Sequence, residues 1–154
     1  MGKGSRYHEE VVKYLEKKYG KIDNKLCELT SFKDKKLGYK TGPFKCDYVI
    51  KKNNKKAIVD VVFWEAHNET LGKVISYFYE IIKRNDNYEL WIIANFKRIA
   101  EKETGKNMKL INKYIVYNRN WFKLLKEMCM KVIASKYKKK LKFYDFTGKG
   151  LIKI

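Results

Sequence analysis

Proline, cysteine, histidine and acidic side chains are all scarce in this 154-residue chain, and each shortage removes a class of reading. The single proline, Pro43, sits beside Gly38 and Gly42, so loop-forming residues gather there and long elements can run on either side. The three cysteines, Cys27, Cys46 and Cys129, are far apart. With no Cys-x-x-Cys pair and only His8 and His67 to help, no structural zinc site is expected and the thiols read as reduced and buried. No apolar run approaches the ~18 to 20 residues of a membrane helix. Residues 1–6 lack the apolar centre of a signal peptide, so a cytoplasmic location is expected. Neither repeats nor low-complexity linkers divide the chain, and one domain spanning residues 1–154 is expected, long enough to bury a core.

The shortage of acids has the largest consequence. Lys and Arg total 36 against 17 Asp and Glu, a formal net charge of +19 and a pI of 9.7. Thermophile surfaces balance lysine with glutamate. An excess this one-sided fits a polyanionic partner, because lysines that neutralise phosphates release counterions whatever the base sequence. A nucleic acid, DNA or RNA, is the expected partner, and an acidic membrane or protein surface is the alternative that fits the charge. Apolar residues still make up 45% of the chain and aromatics 15%, enough for a packed interior.

Tyr7, Val11, Tyr14, Leu15 and Tyr19 recur at three- and four-residue intervals between Ser5, an N-cap residue, and Gly20, which predicts a first helix. Residues 26–32 alternate and predict a first strand. Residues 44–51 and 56–66 predict two more, joined by a lysine- and asparagine-rich hairpin turn. Leu71, Val74, Ile75, Phe78, Ile81 and Ile82 make a helical stripe after the capping residues 67–70. The unbroken apolar run at 90–94, within residues 89–96, predicts a strand buried on both faces. A short helix is expected at 97–104, a fifth strand at 113–117 and a last amphipathic helix at 118–134. On that helix Trp121, Leu124, Leu125, Met128 and Val132 share a side; Trp91 and Trp121 are assigned to the core. The tail, residues 135–154, reads equally well in two ways. It is a basic C-terminal extension packed by its aromatics, or an arm whose Lys138, Lys139 and Lys140 track phosphates while its rings stack on bases. The order α-β-β-β-α-β-α-β-α gives an α/β fold, a mixed β-sheet flanked by helices.

Two of these strands carry one acid each: Asp47 in Lys45-Cys46-Asp47-Tyr48-Val49-Ile50 and Asp60 in Ala57-Ile58-Val59-Asp60-Val61-Val62. A carboxylate in an apolar strand is costly to bury without a compensating charge. Two on paired strands can share a divalent cation with a phosphodiester oxygen, and in so basic a chain that suggests a metal-dependent nuclease. Glu65 falls on the opposite alternation from Asp60, and Glu28 has no partner by pattern. A lone His67 at a strand exit is more often a cap or surface residue than a base.

The element order, with acids on strands two and three, resembles the core of the PD-(D/E)XK restriction-endonuclease-like superfamily, and within it archaeal Holliday-junction resolvases. The similarity runs through Lys3-Gly4, Glu10-Val11-Val12-Lys13-Tyr14-Leu15-Glu16-Lys17, the two acidic segments and the separation of Asp47 from Asp60, covering residues 3–66. Two departures stand out. Val62 occupies the place of the family's lysine, two residues after the second acid, and His8 stands where resolvases carry a helix glutamate, with Glu9 and Glu10 beside it. Lys73-Val74-Ile75-Ser76-Tyr77 resembles the Q-x-x-x-Y helix motif of RecB-type nucleases, with lysine in the glutamine position. Lys73 and Tyr77 share a helix face, so Lys73 is the expected substitute for the missing lysine; a solvated lysine is the plain alternative.

The resemblance implies a metal-dependent DNA endonuclease, hydrolysing phosphodiesters as a resolvase does. Asp47 and Asp60 would hold Mg²⁺ or Mn²⁺ with the carbonyl of Val61 and with Glu9 or Glu10, and Lys73 would stabilise developing charge. Lys33, Lys36, Lys40, Lys52 and Lys55 would track the nucleic-acid backbone. The resemblance further implies a symmetric homodimer and no membrane. A non-catalytic nucleic-acid-binding protein on the same fold is the alternative that Val62 favours. A third reading is an RNA nuclease or assembly subunit related to tRNA-splicing endonuclease, from Gly38-Tyr39-Lys40-Thr41-Gly42 ahead of an acidic strand.

Overall fold

A computed structural model describes residues 3–21, 33–34, 39–40, 46–62, 70–72, 74–75, 78 and 87–154, with the side chains of 3–7, 33–34 and 39–40 excepted. Helix α1 (Lys3–Tyr19) forms where the period predicts it, and Val11 and Leu15 are fully buried on its inner stripe. Gly20 ends it at φ 104°, its N–H donating to the Glu16 carbonyl at 2.8 Å, a backbone shape that disfavours any side chain.

Strands β1 (Lys33–Asp34) and β2 (Tyr39–Lys40) make a short antiparallel pair of their own. The main sheet follows chain order: β3 (Tyr48–Lys52), β4 (Lys55–Val62), β5 (Tyr88–Ala94), β6 (Leu141–Phe146) and β7 (Leu151–Lys153). β4, β5 and β6 are mutually parallel, and β3 and β7 run antiparallel at the edges. The fold is therefore mixed α/β, a five-stranded mixed sheet flanked by helices. β3 and β4 are joined by Asn53 and Asn54 alone, with Asn53 at φ 56°, a left-handed conformation that asparagine tolerates.

Apolar side chains cover both sheet faces, as parallel central strands require. On one face α1 buries Val11 and Leu15 against Tyr48, Ile50, Val59, Val61 and Ile93. Tyr48 also donates its hydroxyl to the Gly20 carbonyl at 2.5 Å, tying the helix end to β3. The other face carries Val49, Ile58, Ile92 and Phe143, and receives Phe122, Leu125 and Cys129. Those three come from α3 (Met108–Val132), which follows α2 (Phe96–Thr104). Val74 and Phe78, among the described helical residues 70–72, 74–75 and 78, join the same core.

Three expectations are corrected. Residues 113–117 are not a strand: Tyr114, Ile115, Val116 and Tyr117 lie inside the 25-residue α3. Asn107 caps that helix, its side chain accepting from the N–H groups of Lys109 and Leu110 at 3.1 and 3.2 Å. Ile111, Asn118, Phe122, Leu125 and Cys129 then set a helical period that overrides the local β propensity. Secondly, the stripe assigned to the core of this helix points outward. Trp121 is 44%, Leu124 50%, Met128 52% and Val132 59% exposed, and only Leu125 is buried. Thirdly, residues 135–154 are no appendage, because after a 3₁₀ turn (Ser135–Lys140) they supply β6, between β5 and β7, with Leu141, Phe143 and Phe146 buried. The expected strand at 26–32 lies outside the described residues. Among the described residues, no helix is long and apolar enough to cross a membrane.

Candidate active site

β4, β5 and β6 end side by side, since Val62 pairs with Ala94 and Ala94 with Asp145. The carboxyl ends of parallel strands are where open α/β sheets collect ligands, because several loops and helix starts converge there. Asp60, Asn95 and Asp145 are buried at this end, each no more than 2% exposed. Asp60 shares a sheet face with Ile58, Ile92 and Phe143, the face that α3 covers.

Asp47 comes to the same place from the start of β3. Its N–H donates to the Val59 carbonyl at 3.0 Å, and its Oδ2 accepts from the Val61 N–H at 2.7 Å. These two bonds straddle Asp60 on the neighbouring antiparallel strand. The backbone bends here, so Cys46 joins Val49 in the α3-side core in spite of strict alternation. His8 Nδ1, from α1, lies 3.7 Å from Asp47 Oδ1, an ion pair when the imidazole is protonated. Val61, expected to offer its carbonyl, buries its side chain against α1, and Val62 is buried on the α3 side.

The helix glutamates behave differently from each other. Glu9 is exposed. Glu10 has both oxygens engaged: Oε1 lies 3.1 Å from Arg98 Nε, and Oε2 accepts from Asn95 Nδ2 at 3.2 Å. Asn95 Oδ1 meanwhile caps α2 by accepting from the Arg98 N–H at 3.3 Å. Glu10 therefore anchors α1 to the start of α2.

Asp145 and Arg119 form a second charged pair that the sequence reading missed. Arg119 donates to Asp145 Oδ2 from Nε at 2.7 Å and its Nη2 lies 2.6 Å from the same oxygen, while the Phe96 N–H donates to Oδ1 at 3.3 Å. Burial nevertheless pushes the Asp145 carboxyl above its usual range, outweighing the guanidinium and the N–H. The signal was present, an acid inside the apolar run Phe143-Tyr144-Asp145-Phe146, the same pattern that singled out Asp47 and Asp60.

The expected phosphate-tracking lysines do not gather at this end. Lys52 and Lys55 flank the β3–β4 turn, five positions along β4 from Asp60, about 17 Å at the rise of a strand. Lys138, Lys139 and Lys140 precede β6 at that same far end. There Lys52, Lys55, Lys56 and Lys142 line a groove of 520 Å³ with Tyr19 and Trp91. Between α1 and the β6–β7 turn, Lys13, Lys17, Lys18 and Lys149 line a groove of 680 Å³ that reaches Glu10. Lys13 and Lys17, four apart on the outer face of α1, with Lys18 beside them, are the sequence signal for it. Lys33 and Lys40 lie opposite each other in the β1–β2 pair. Lys73, Lys36, Glu65 and His67 lie outside the described residues.

Carboxylate oxygens suit a hard cation, and Mg²⁺ is commonly held by one or two carboxylates, with water and substrate phosphate completing the shell. Among the described residues, no three His, Cys, Asp or Glu side chains group around one point. The donors on offer are thus the Asp47–Asp60 pair, a fit in chemistry to such a two-carboxylate site. Set against protein-family models, curated proteins and solved structures, the chain matches none of them.

Proposed function

We propose that this chain is a metal-dependent DNA endonuclease of the PD-(D/E)XK type, hydrolysing phosphodiesters as resolvases do. One observation carries the reading: the Asp47 N–H and its Oδ2 bond the Val59 carbonyl and the Val61 N–H on either side of Asp60, so the two acidic residues are neighbours on adjacent strands near the carboxyl end of β4. Asp47 and Asp60 hold Mg²⁺ or Mn²⁺. The bound ion supplies polarisation of a phosphoryl oxygen and a more acidic water. Asp47 is oriented by the Val61 N–H, and His8 Nδ1 lies 3.7 Å from its other oxygen. Lys13, Lys17, Lys18 and Lys149 seat the phosphate backbone in the groove that reaches Glu10. Lys73 neutralises the charge that builds on the phosphorus oxygens.

A second reading, nucleic-acid binding without cleavage, is favoured by a specific pair of facts. Val62 is buried apolar core where the family has lysine, and Glu10 spends both oxygens on Asn95 and Arg98. One experiment separates the two: incubation of plasmid, branched duplex and single-stranded DNA with Mg²⁺ or Mn²⁺. Cleavage is expected, lost with chelator and in Asp60→Asn, while Lys73→Ala lowers turnover by a factor of ~10² at unchanged DNA affinity. Duplex binding without cleavage on any of these substrates would move the assignment to the binding-only protein. RNA cleavage that survives chelation would point instead to chemistry like that of tRNA-splicing endonuclease.

A further inference from the structure

Helix α3 carries two apolar stripes, and only one faces the sheet. The inner stripe is Ile111, Phe122, Leu125 and Cys129. The outer one is Leu110, Tyr117, Leu124, Met128 and Val132, which are 48%, 61%, 50%, 52% and 59% exposed. Leu110, Tyr117 and Leu124 follow each other at seven-residue steps, and Trp121 and Met128 interleave at the same step. That is the 3.5-residue period of a seam made to meet another helix, distinct from the 3.6-residue drift of a stripe resting on a sheet. Apolar side chains aligned in this way on so charged a chain are not scattered surface leucines.

We propose that a second copy of this chain covers the seam, α3 against α3, antiparallel. The flanking charges choose both occupant and direction. Glu127 is the single acid among the residues of α3, and it lies seven positions after Asn120; Lys113 lies seven before it. All three are exposed. In an antiparallel pair with Asn120 on the two-fold axis, Lys113 of each copy comes beside Glu127 of the other, twice over. The same alignment sets Leu110 of one copy level with Met130 of the other, two residues from Met128, so the two apolar seams overlap along their length. A parallel pair would set Lys113 beside Lys113 and lose the match. Charges flanking a helical seam set partner and orientation in this manner, and a self-complementary pattern is what a two-fold interface requires.

Sedimentation of the full chain tests this without reference to nuclease activity. Wild type should be dimeric at micromolar concentration. Association should strengthen as salt rises, because two bodies of charge +19 repel one another and salt screens that repulsion. Leu124→Glu should give a monomer with an unchanged far-ultraviolet spectrum, since a half-exposed side chain is being replaced. Glu127→Lys should weaken the dimer by roughly tenfold or more, and the exchange Lys113→Glu with Glu127→Lys should restore it. Asn120→Cys should form a disulfide between copies under mild oxidation, while Lys123→Cys, away from the seam, should not. A wild type that stays monomeric to about 0.5 mM, or a dimer indifferent to Leu124→Glu, overturns the interface. A charge exchange that fails to restore association overturns the antiparallel register.

Discussion

Ending the chain after Ala134 tests whether the basic, aromatic C-terminal stretch is a removable arm or a piece of the core. The truncation removes β6 and β7, and with them three buried apolar side chains: Leu141 and Phe146 at 3% exposure and Phe143 at 0%. Burying an aliphatic or aromatic side chain of this size is worth roughly 1.5 to 3 kcal/mol, so the direct loss is about 4.5 to 9 kcal/mol. The loss does not stop at the deleted residues. Phe143 closes an aromatic cluster with Phe122, ring centroids 4.9 Å apart, and Phe122 meets Phe96 at 5.3 Å. β5 would also lose its parallel neighbour along Leu90–Ala94 and become an exposed apolar edge. Against a total stability of about 5 to 15 kcal/mol for a domain, the truncated chain is expected not to fold. Circular dichroism should show no cooperative melt. Phe143→Ala alone should cost about 3 to 5 kcal/mol in urea denaturation. A truncated protein that melts cooperatively near the wild-type temperature would refute the placement of β6 inside the sheet.

Two further outcomes follow from buried ionisable groups. Desolvation pushes the Cys129 thiol up to about 11, so Cys129 should resist alkylation in the native protein and react only on unfolding; peptide mapping that finds it modified under native conditions would contradict its burial. Asp145 is raised by burial, and a carboxyl raised in the folded state favours folding most below its unfolded value and loses that contribution as pH climbs through the folded value. Relative to Asp145→Asn, wild type should therefore gain stability on acidification between about pH 7 and 3, and a relative loss over that window in chemical denaturation would sink the assignment.

The central elements were legible because their signals are local. α1 announced itself by the period of Val11 and Leu15 and by Gly20; β5 by an apolar run too short for a helix and bounded by turn residues. α3 was half lost for an instructive reason. Tyr114, Ile115, Val116 and Tyr117 have strong β propensity, and they interrupt neither the cap at Asn107 nor the seven-residue steps running through them. Propensity is a weak prior over four residues, whereas the period is informative over twenty. The wrong stripe was chosen for a related reason. Where a helix carries two apolar faces, hydrophobicity does not say which one meets the sheet, and Phe122 and Cys129 were outweighed by the larger set around Trp121 and Leu124.

The acids were legible on different grounds. Asp47 and Asp60 stood out because a carboxylate in an apolar strand demands a physical reason, and that argument needs no knowledge of the partner strand. Applied evenly, it would also have found Asp145, which was overlooked because lysines around it made the segment look like a tail. The three acids have different solutions. Asp145 is paired within the fold with Arg119, at 2.6 Å. Asp47 is ordered by a backbone N–H and left at a half-buried rim beside His8. Asp60 is the deepest of the proposed pair, at 1% exposure between apolar neighbours. Breaking a buried ion pair costs about 3 to 5 kcal/mol because a charge is left uncompensated, so Arg119→Ala should destabilise the fold far more than Asp47→Asn. If instead Asp47→Asn proved the more damaging to folding, the carboxylate at the rim would be structural, and the endonuclease reading would lose one of its two metal-holding groups.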